Sequence, residues 1–328
     1  MTKGMIKTRG VNLLRRIFGN KSKRHGLIYN GYVDISDQAA NDYILQLFSA
    51  VQTSGLMLSK FGTVELSNIV ACHFERQRWS RDYFQDVMHY DASYNLAGTM
   101  RGLCSNAGFF PYNVQLGYKF YERMLNDMPM IDVLASYIYQ EKHVSQFLTG
   151  VKKRVNLNGF YAPFLWERPW SQALQGKRVL VVHPFVESIR NQYENNRTKI
   201  WANPDVLPEF KELLTLKAVQ SIADAKELPY KDWFEALKYM EDEISKLEFD
   251  VAIIGCGAYG MCLAAHVKRM GKIAVHLAGW TQMLFGVYGN RWIKDQPEYS
   301  KFVNEYWIRP NEKERPQGAE KVEGGCYW

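Results

Sequence analysis

Apolar positions fall at helical spacing through residues 37–52, where Ile44, Leu47, Phe48 and Val51 share a face and Ser36 or Asp37 stands ready to cap the first turn. A short apolar run at 55–61 reads as a buried strand, Gly62-Thr63 as a turn, and 64–74 as a second helix. Residues 80–112 mix aromatic residues with Gly and Asn and read as loop and short helix; helical spacing resumes over 113–128. Beyond a stretch at 156–175 dense in Trp, Pro and Asn, the texture changes to repeated strand–helix units. Strands are expected at 177–183, 213–221, 251–254 and 272–277, and helices at 187–201, 232–247 and 259–270. This alternation implies an α/β protein with a mostly parallel sheet covered by helices on both faces. The parts are taken as 1–33, 34–150 and 151–328, the middle one helical and aromatic-rich. The run from Glu298 onward has no readable period, and no internal repeat or low-complexity segment occurs.

Composition narrows the class. At 328 residues and 47% hydrophobic content the chain can bury one large core or two modest ones. Five scattered cysteines without a C-x-x-C pair, and no opening signal peptide, point to a reducing, cytoplasmic setting. No apolar window is long enough to span a membrane. The net charge of +7 sits at one end: residues 1–33 carry Lys3, Lys7, Arg9, Arg15, Arg16, Lys21, Lys23 and Arg24 and no acid, which leaves 33 basic against 34 acidic residues elsewhere. Met5, Ile6, Val11, Leu13, Leu14, Ile17 and Phe18 interleave with them. That mixture suits either an interfacial helix on an anionic membrane face or a frayed basic tail. A neutral body argues against nucleic acid as a partner.

Residues 250–276 read as strand, tight glycine turn, helix and strand. Gly255, Gly257 and Gly260 have G-x-G-x-x-G spacing, in which missing side chains let a diphosphate approach backbone amides at a helix N-terminus. The sheet is therefore expected to be Rossmann-like and to hold a nucleotide. Gly257→Val is expected to fold and bind none. The same glycines can instead serve only to pack helix against strand. A nicotinamide site also expects an acid at the end of the next strand, where this chain has Ala278-Gly279-Trp280, and the motif opens late, at residue 255. A nucleotide-dependent oxidoreductase is thus a rival reading, as is a non-catalytic assembly scaffold.

Parallel sheets place ligands beyond the carboxyl ends of their strands. The residues there are Gly62, Thr63 and Glu65; His183, Glu187 and Arg190; Gly257 and Tyr259; and Gly279, Thr281 and Gln282. Arg190, Arg197 and Lys199 can neutralise a diphosphate, arginine through its bidentate fork. Glu65 can be a general base, a ligand of a divalent ion, or only an acid favoured by its helix dipole. His183 and Glu187 are the next catalytic candidates, His183 also reading as a core histidine. Cys256 is expected to be chosen for size, and His266 to be structural.

The segments Ser59-Lys-Phe-Gly-Thr-Val-Glu-Leu66, Val182-His-Pro-Phe-Val-Glu-Ser-Ile-Arg190, Ile253-Ile-Gly-Cys-Gly-Ala-Tyr-Gly260, Gly279-Trp-Thr-Gln-Met-Leu-Phe-Gly286, Gly289-Asn-Arg-Trp292 and Glu323-Gly-Gly-Cys-Tyr-Trp328 resemble the GT-D-fold glycosyltransferases of bacterial surface-polysaccharide clusters, over roughly residues 35–328. The resemblance implies a nucleotide-sugar donor such as a UDP-sugar, a saccharide or lipid-linked saccharide acceptor, and a site at the cytoplasmic membrane's inner face. It draws Arg291 into the donor site with Gly62, Thr63 and Gln282. Tyr259, Trp280 and Trp292 are expected to offer stacking surfaces. The family's acidic D-x-E motif, associated with Mn2+ or Mg2+, falls on Thr63-Val64-Glu65, so its first acid is replaced by Thr63 and Glu65 alone remains as a metal ligand.

Overall fold

The computed structural model describes residues 31–50, 54–76, 80–89, 94–222, 228–316, 318–322 and 324–328, together with Gly10 and Leu13. Most of the basic segment at 1–33 lies outside the described residues.

Helices and strands follow one another as α1 (Asp37–Ala50), β1 (Leu56–Ser59), α2 (Thr63–Arg76), α3 (Arg81–His89), α4 (Leu96–Ala107), α5 (Val114–Asp127), β2 (Val133–Ala135), β3 (Lys153–Val155), α6 (Leu157–Tyr161), β4 (Arg178–His183), α7 (Val186–Ile200), β5 (Glu212–Lys217), α8 (Trp233–Ser245), β6 (Val251–Ile254), α9 (Gly260–Arg269), β7 (Ile273–His276) and α10 (Trp280–Leu284). The seven strands form one sheet in the order β3-β2-β1-β7-β6-β4-β5, and every pairing is parallel. Residues on both sides of position 150 build it: β2 pairs with β3, and β1 with β7 through Leu56 opposite Ile273.

The central strands are apolar except at their ends, at Arg178, Ser59, His183 and His276, because both faces are covered. Met57, Leu180, Val182, Ala252 and Ile254 pack into one layer with helices α2, α3, α4, α5, α8 and α9. Leu58, Val179, Val181, Val251 and Ile253 pack into the other with α1, α6, α7, α10 and the segment that follows. Side-chain caps fix several helix starts. Asn113 Oδ1 accepts the amide of Gln115 at 2.8 Å, and Asp232 Oδ1 that of Glu235 at 3.0 Å.

Two expectations are corrected. Within the stretch expected to be loop and short helix stand two helices, α3 and α4, the latter closed by Gly108 at φ 80° in a left-handed cap. The strand expected over 213–221 stops at Lys217, where β4, its one neighbour in the sheet, has run out of partners.

This topology opens a crevice. The chain leaves β1 and β6 toward one layer and β4 and β7 toward the other. Neighbouring strand ends therefore part company between β1 and β7, between β7 and β6, and between β6 and β4. A cleft at the carboxyl ends is the geometric result. Among the described residues no helix is long and apolar enough to cross a membrane.

Candidate functional site

The cleft has two connected halves. The half beside β1 and β7 is lined by Lys60, Gly62, Thr63, Glu65, His276 and Arg291; the half beside β4 and β6 by His183, Phe185, Ser221, Cys256, Gln282 and Trp328. Asn106 and Ala107 at the end of α4, with Gly257, Gly279 and Tyr327, border both. Their empty volumes are about 600 Å³ beside β4 and β6 and about 1010 Å³ beside β1 and β7, both including space open to solvent.

The first half is charged. Glu65 is the sole carboxylate side chain lining the cleft among the described residues, and Lys60 and Arg291 are its cationic side chains. Glu65 is the third residue of α2, and its carboxylate folds back over Gly62, where a β-carbon would overlap Oε2. The helix start thus places a negative charge at the positive end of its own dipole and at the cleft wall together. Lys60 Nζ lies 3.4 Å from both the Phe61 carbonyl and Tyr137 Oη, while the Tyr137 hydroxyl donates to Phe61 O at 2.7 Å. Burial, then the charges of Glu65 and Glu141, push the Tyr137 phenol well up, so it stays protonated. The Arg291 guanidinium stands 4.5 Å from the centre of the Tyr327 ring.

The C-terminal residues close one side. Arg291 N donates to Cys326 O at 2.8 Å, Asn290 N to Trp328 O at 3.2 Å, and Gln282 Nε2 to Tyr327 O at 3.2 Å. Gly279 and Gly289 have no β-carbon because Tyr327 occupies that space, its ring at Gly279 and its backbone at Gly289. The segments around residues 279, 289 and 327 therefore meet at one wall.

The glycine turn is placed at the cleft but packed against protein. Gly257 has φ 57°, and its β-carbon would fall 2.6 Å from Ala107 O. Gly255 faces the carbonyl of Ala278, itself left-handed at φ 52°, and Gly260 faces the His276 ring. These glycines admit neighbouring backbone and a histidine, so the expectation that Gly257→Val merely fills ligand space is corrected. Tyr259 is buried, its ring 5.1 Å from Trp233 and its hydroxyl 2.9 Å from Ser221 Oγ; Trp292 is fully buried, so neither is a stacking surface for a ligand. Trp280 lines the first half but is stacked on Tyr161 at 3.8 Å. Cys256 is buried, which drives its thiol pKa up and keeps it protonated.

Four expected charged residues lie elsewhere, among them Lys199, exposed on α7 with its Nζ 5.1 Å from the centre of the Tyr306 ring. Arg190 bonds Thr215 on the edge strand β5, and Arg197 reaches Glu209 at 3.9 Å; neither lines the cleft, because both project from α7 toward that edge. Glu187 is exposed on the same helix, away from the cleft lining. Its amide is taken by buried Glu314, whose carboxylate also accepts from Ser188 N at 3.1 Å, so an acid of this chain already occupies the N-terminus of α7. His183 does line the cleft. Its Nδ1 accepts the Phe185 amide at 3.0 Å, and burial lowers its pKa to about 3, so it is a neutral ring rather than a titrating base near neutrality.

Lys60, His276, Tyr137 and Tyr327 were not among the expected site residues. His276 and Lys60 carried the signal, each standing at or next to a strand's last residue; Tyr137 and Tyr327 come from irregular segments that gave none. Both residues of the expected metal site line the cleft. Thr63 and Glu65 supply one hydroxyl and one carboxylate, and among the described residues no three of His, Cys, Asp and Glu gather to hold an ion. That donor set falls short of the six oxygens a hard cation takes.

Comparison with protein-family models, with curated proteins and with solved structures finds no match for this chain.

Proposed function

We propose that this protein is a glycosyltransferase that moves a sugar from a nucleoside-diphosphate sugar to a hydroxyl of a saccharide acceptor, lipid-linked in bacterial polysaccharide biosynthesis. The observation that carries the reading is the meeting of one carboxylate side chain, Glu65, with two cations, Lys60 and Arg291, in the cleft at the strand ends. Residues from the segments that resemble GT-D-fold enzymes supply both sides of that cleft.

In this reading Glu65 takes the proton of the acceptor hydroxyl as its oxygen bonds to the anomeric carbon. The bond from that carbon to the diphosphate breaks, and the electron pair leaves on the phosphate oxygen. Lys60 and Arg291 meet the developing charge from fixed positions, which is the kind of stabilisation that accelerates such steps most. No step is assigned to a protein-held metal, since the residues present do not build its site.

A thermal-shift panel of UDP, GDP, ADP, TDP, their sugars and NAD(P), with and without Mn2+, tests the reading, because a ligand that binds only the folded state raises its stability. A shift with a nucleoside diphosphate supports it. A shift with NAD(P) alone assigns an oxidoreductase, and none at all a scaffold. The basic segment at 1–33 is proposed to hold the enzyme to an anionic membrane, each cation near the surface contributing about 1 kcal/mol. Removing residues 1–30 is expected to abolish co-sedimentation with anionic liposomes at physiological salt; equal sedimentation of both forms would refute this.

A further inference from the structure

Three adjoining spaces lie along the carboxyl ends of the strands, and among the described residues only the middle one is lined by charged side chains. It holds Lys60, Glu65 and Arg291. The half beside β4 and β6 has none, since burial keeps His183 neutral, and Phe185, Val322 and Trp328 give it apolar walls. On the opposite side, past β1, a groove with an empty volume of about 540 Å³, part of it open to solvent, runs over the ends of β2 and β3. Ser136, the residue after β2, and Asn156, the residue after β3, line it with Asn158, and it too has no charged side chain. Tyr137, Leu157 and Tyr161 line this groove and the charged half alike.

Most of the polar atoms along the groove are committed to the fold. Asn156 Oδ1 accepts the amides of Asp37 at 2.8 Å and Gly159 at 3.1 Å, and its Nδ2 donates to Asp37 Oδ1 at 2.7 Å. Ser136 Oγ donates to Glu141, and the Tyr161 ring is stacked on Trp280. Asn158 differs. Its Oδ1 accepts the Tyr299 hydroxyl at 3.0 Å, which fixes which end of the amide carries the hydrogens. The residue is half-buried, and its Nδ2 has no partner among the described residues and is not closed off from solvent. A held N–H pair beside tyrosine rings, in a groove without charge, suits the hydroxyls and apolar ring face of a neutral sugar. A diphosphate finds no cation there to meet it.

We propose that this groove is the acceptor subsite, where a neutral saccharide lies over the ends of β2 and β3, takes a hydrogen bond from Asn158 and extends its reacting hydroxyl to Glu65. This rests on the nucleotide-sugar reading of the cleft and adds to it the direction of each substrate. The donor runs from the charged half toward β6 and β4, where apolar walls receive its base. The acceptor comes from the β2 side, so the two approach Glu65, which follows β1, from opposite directions along the sheet. Gly31 and Val33 also line the groove, and a β-carbon at Gly31 would fall 2.6 Å from Ser136 Oγ. The segment proposed to reach the membrane therefore joins the fold on the acceptor's side, where a lipid-linked saccharide arrives.

Two substitutions test the groove without touching the charged half. Val33→Trp fills it from a position that lines neither half of the cleft, and Asn158→Asp keeps the oxygen that Tyr299 needs while removing the donor. Wild type and variants are applied, with UDP, GDP, ADP and TDP present, to an array of immobilised neutral bacterial oligosaccharides, and the four nucleotides are titrated calorimetrically in parallel. The wild type is expected to bind at least one saccharide and one nucleotide. Each variant should lose about tenfold or more of the saccharide signal, hold nucleotide affinity within about twofold, and keep a cooperative thermal transition. Should Val33→Trp fail to fold, Asn158→Asp decides. Undiminished saccharide binding by either folded variant overturns the proposal, as does a matching loss of nucleotide affinity, which would make the groove part of the donor site. A wild type that binds a nucleotide but no saccharide overturns the acceptor subsite alone. One that binds none of the four nucleotides overturns the nucleotide-sugar reading, and the acceptor assignment with it.

Discussion

Glu65 concentrates two roles in one carboxylate, since its fold back over Gly62 sets it at the start of α2 and at the cleft wall at once. Glu65→Gln keeps the shape and much of the first-turn contact but loses the basicity, so sugar transfer is expected to fall about a hundredfold while nucleotide binding persists. Single-turnover rates at saturating donor, in Mn2+ and in chelator, check it. A base is needed in both media, a metal ligand only where metal acts, and unchanged turnover would remove Glu65 from the chemistry. At this scale the sequence was legible where a functional residue sits next to a strand end. Gly62, Thr63, Glu65 and Gln282 were found that way, and all line the cleft. It misled where the helix after the strand turns its side chains outward. Arg190 and Arg197 follow β4 as a diphosphate clamp would, yet the rotation of α7 sends them to Thr215 and Glu209, a direction that no spacing in the chain encodes. Arg291 was reached only through resemblance, and Lys60 is adjacent to a strand end but carries no motif of its own.

Among the elements, the glycine turn between β6 and α9 shows how one spacing can have two physical meanings. G-x-G-x-x-G marks places where something comes too close for a side chain, and here the close neighbours are Ala278 O, Ala107 O and the His276 ring. The turn still faces the cleft, but its glycines are first a joint between β6, β7 and α4. Gly257→Val is therefore expected to destabilise the fold by about 3 kcal/mol or more, through a β-branched residue held at positive φ and a clash with the Ala107 carbonyl. Urea denaturation measures this, and a variant as stable as wild type would return the turn to open ligand space. The legible elements were those with a readable period or a continuous apolar run: α1, α2, α5, α7, α8, α9 and the strands β1, β4, β6 and β7. The strands β2 and β3 have only three residues each, too few for any alternation to show, and join the sheet through tertiary pairing. Helices α3 and α4 were obscured by the aromatic and glycine residues that pack them, since Tyr83, Tyr94 and Phe109 read locally as loop chemistry and act globally as core.

For the whole molecule, a sheet covered on both faces buries its strand ends, and histidines ending β4 and β7 are buried with them. His183 and His276 are both held near pKa 3, chiefly by burial, against about 6.5 in an unfolded chain. The sign follows from proton counts. Between those limits the unfolded chain binds protons that the folded one refuses, so the contribution is complete above pH 6.5 and is lost progressively as pH falls toward 3. His73, lowered by burial and then by His143, acts in the same sense. Glu141, raised by burial, opposes it in the acid range, one group against several. From pH 7.5 to pH 5, the two strand-end histidines alone should remove on the order of 4 kcal/mol. That is a large share of the roughly 5–15 kcal/mol by which a folded domain exceeds its unfolded state. Unfolding free energies from urea titrations at pH 7.5, 6 and 5 should decline accordingly, and His276→Gln, which has no ring to protonate, should show close to half the slope. A wild-type curve flat across this range would mean that the histidines are protonated in the folded state, against the burial that keeps both rings neutral at the ends of β4 and β7.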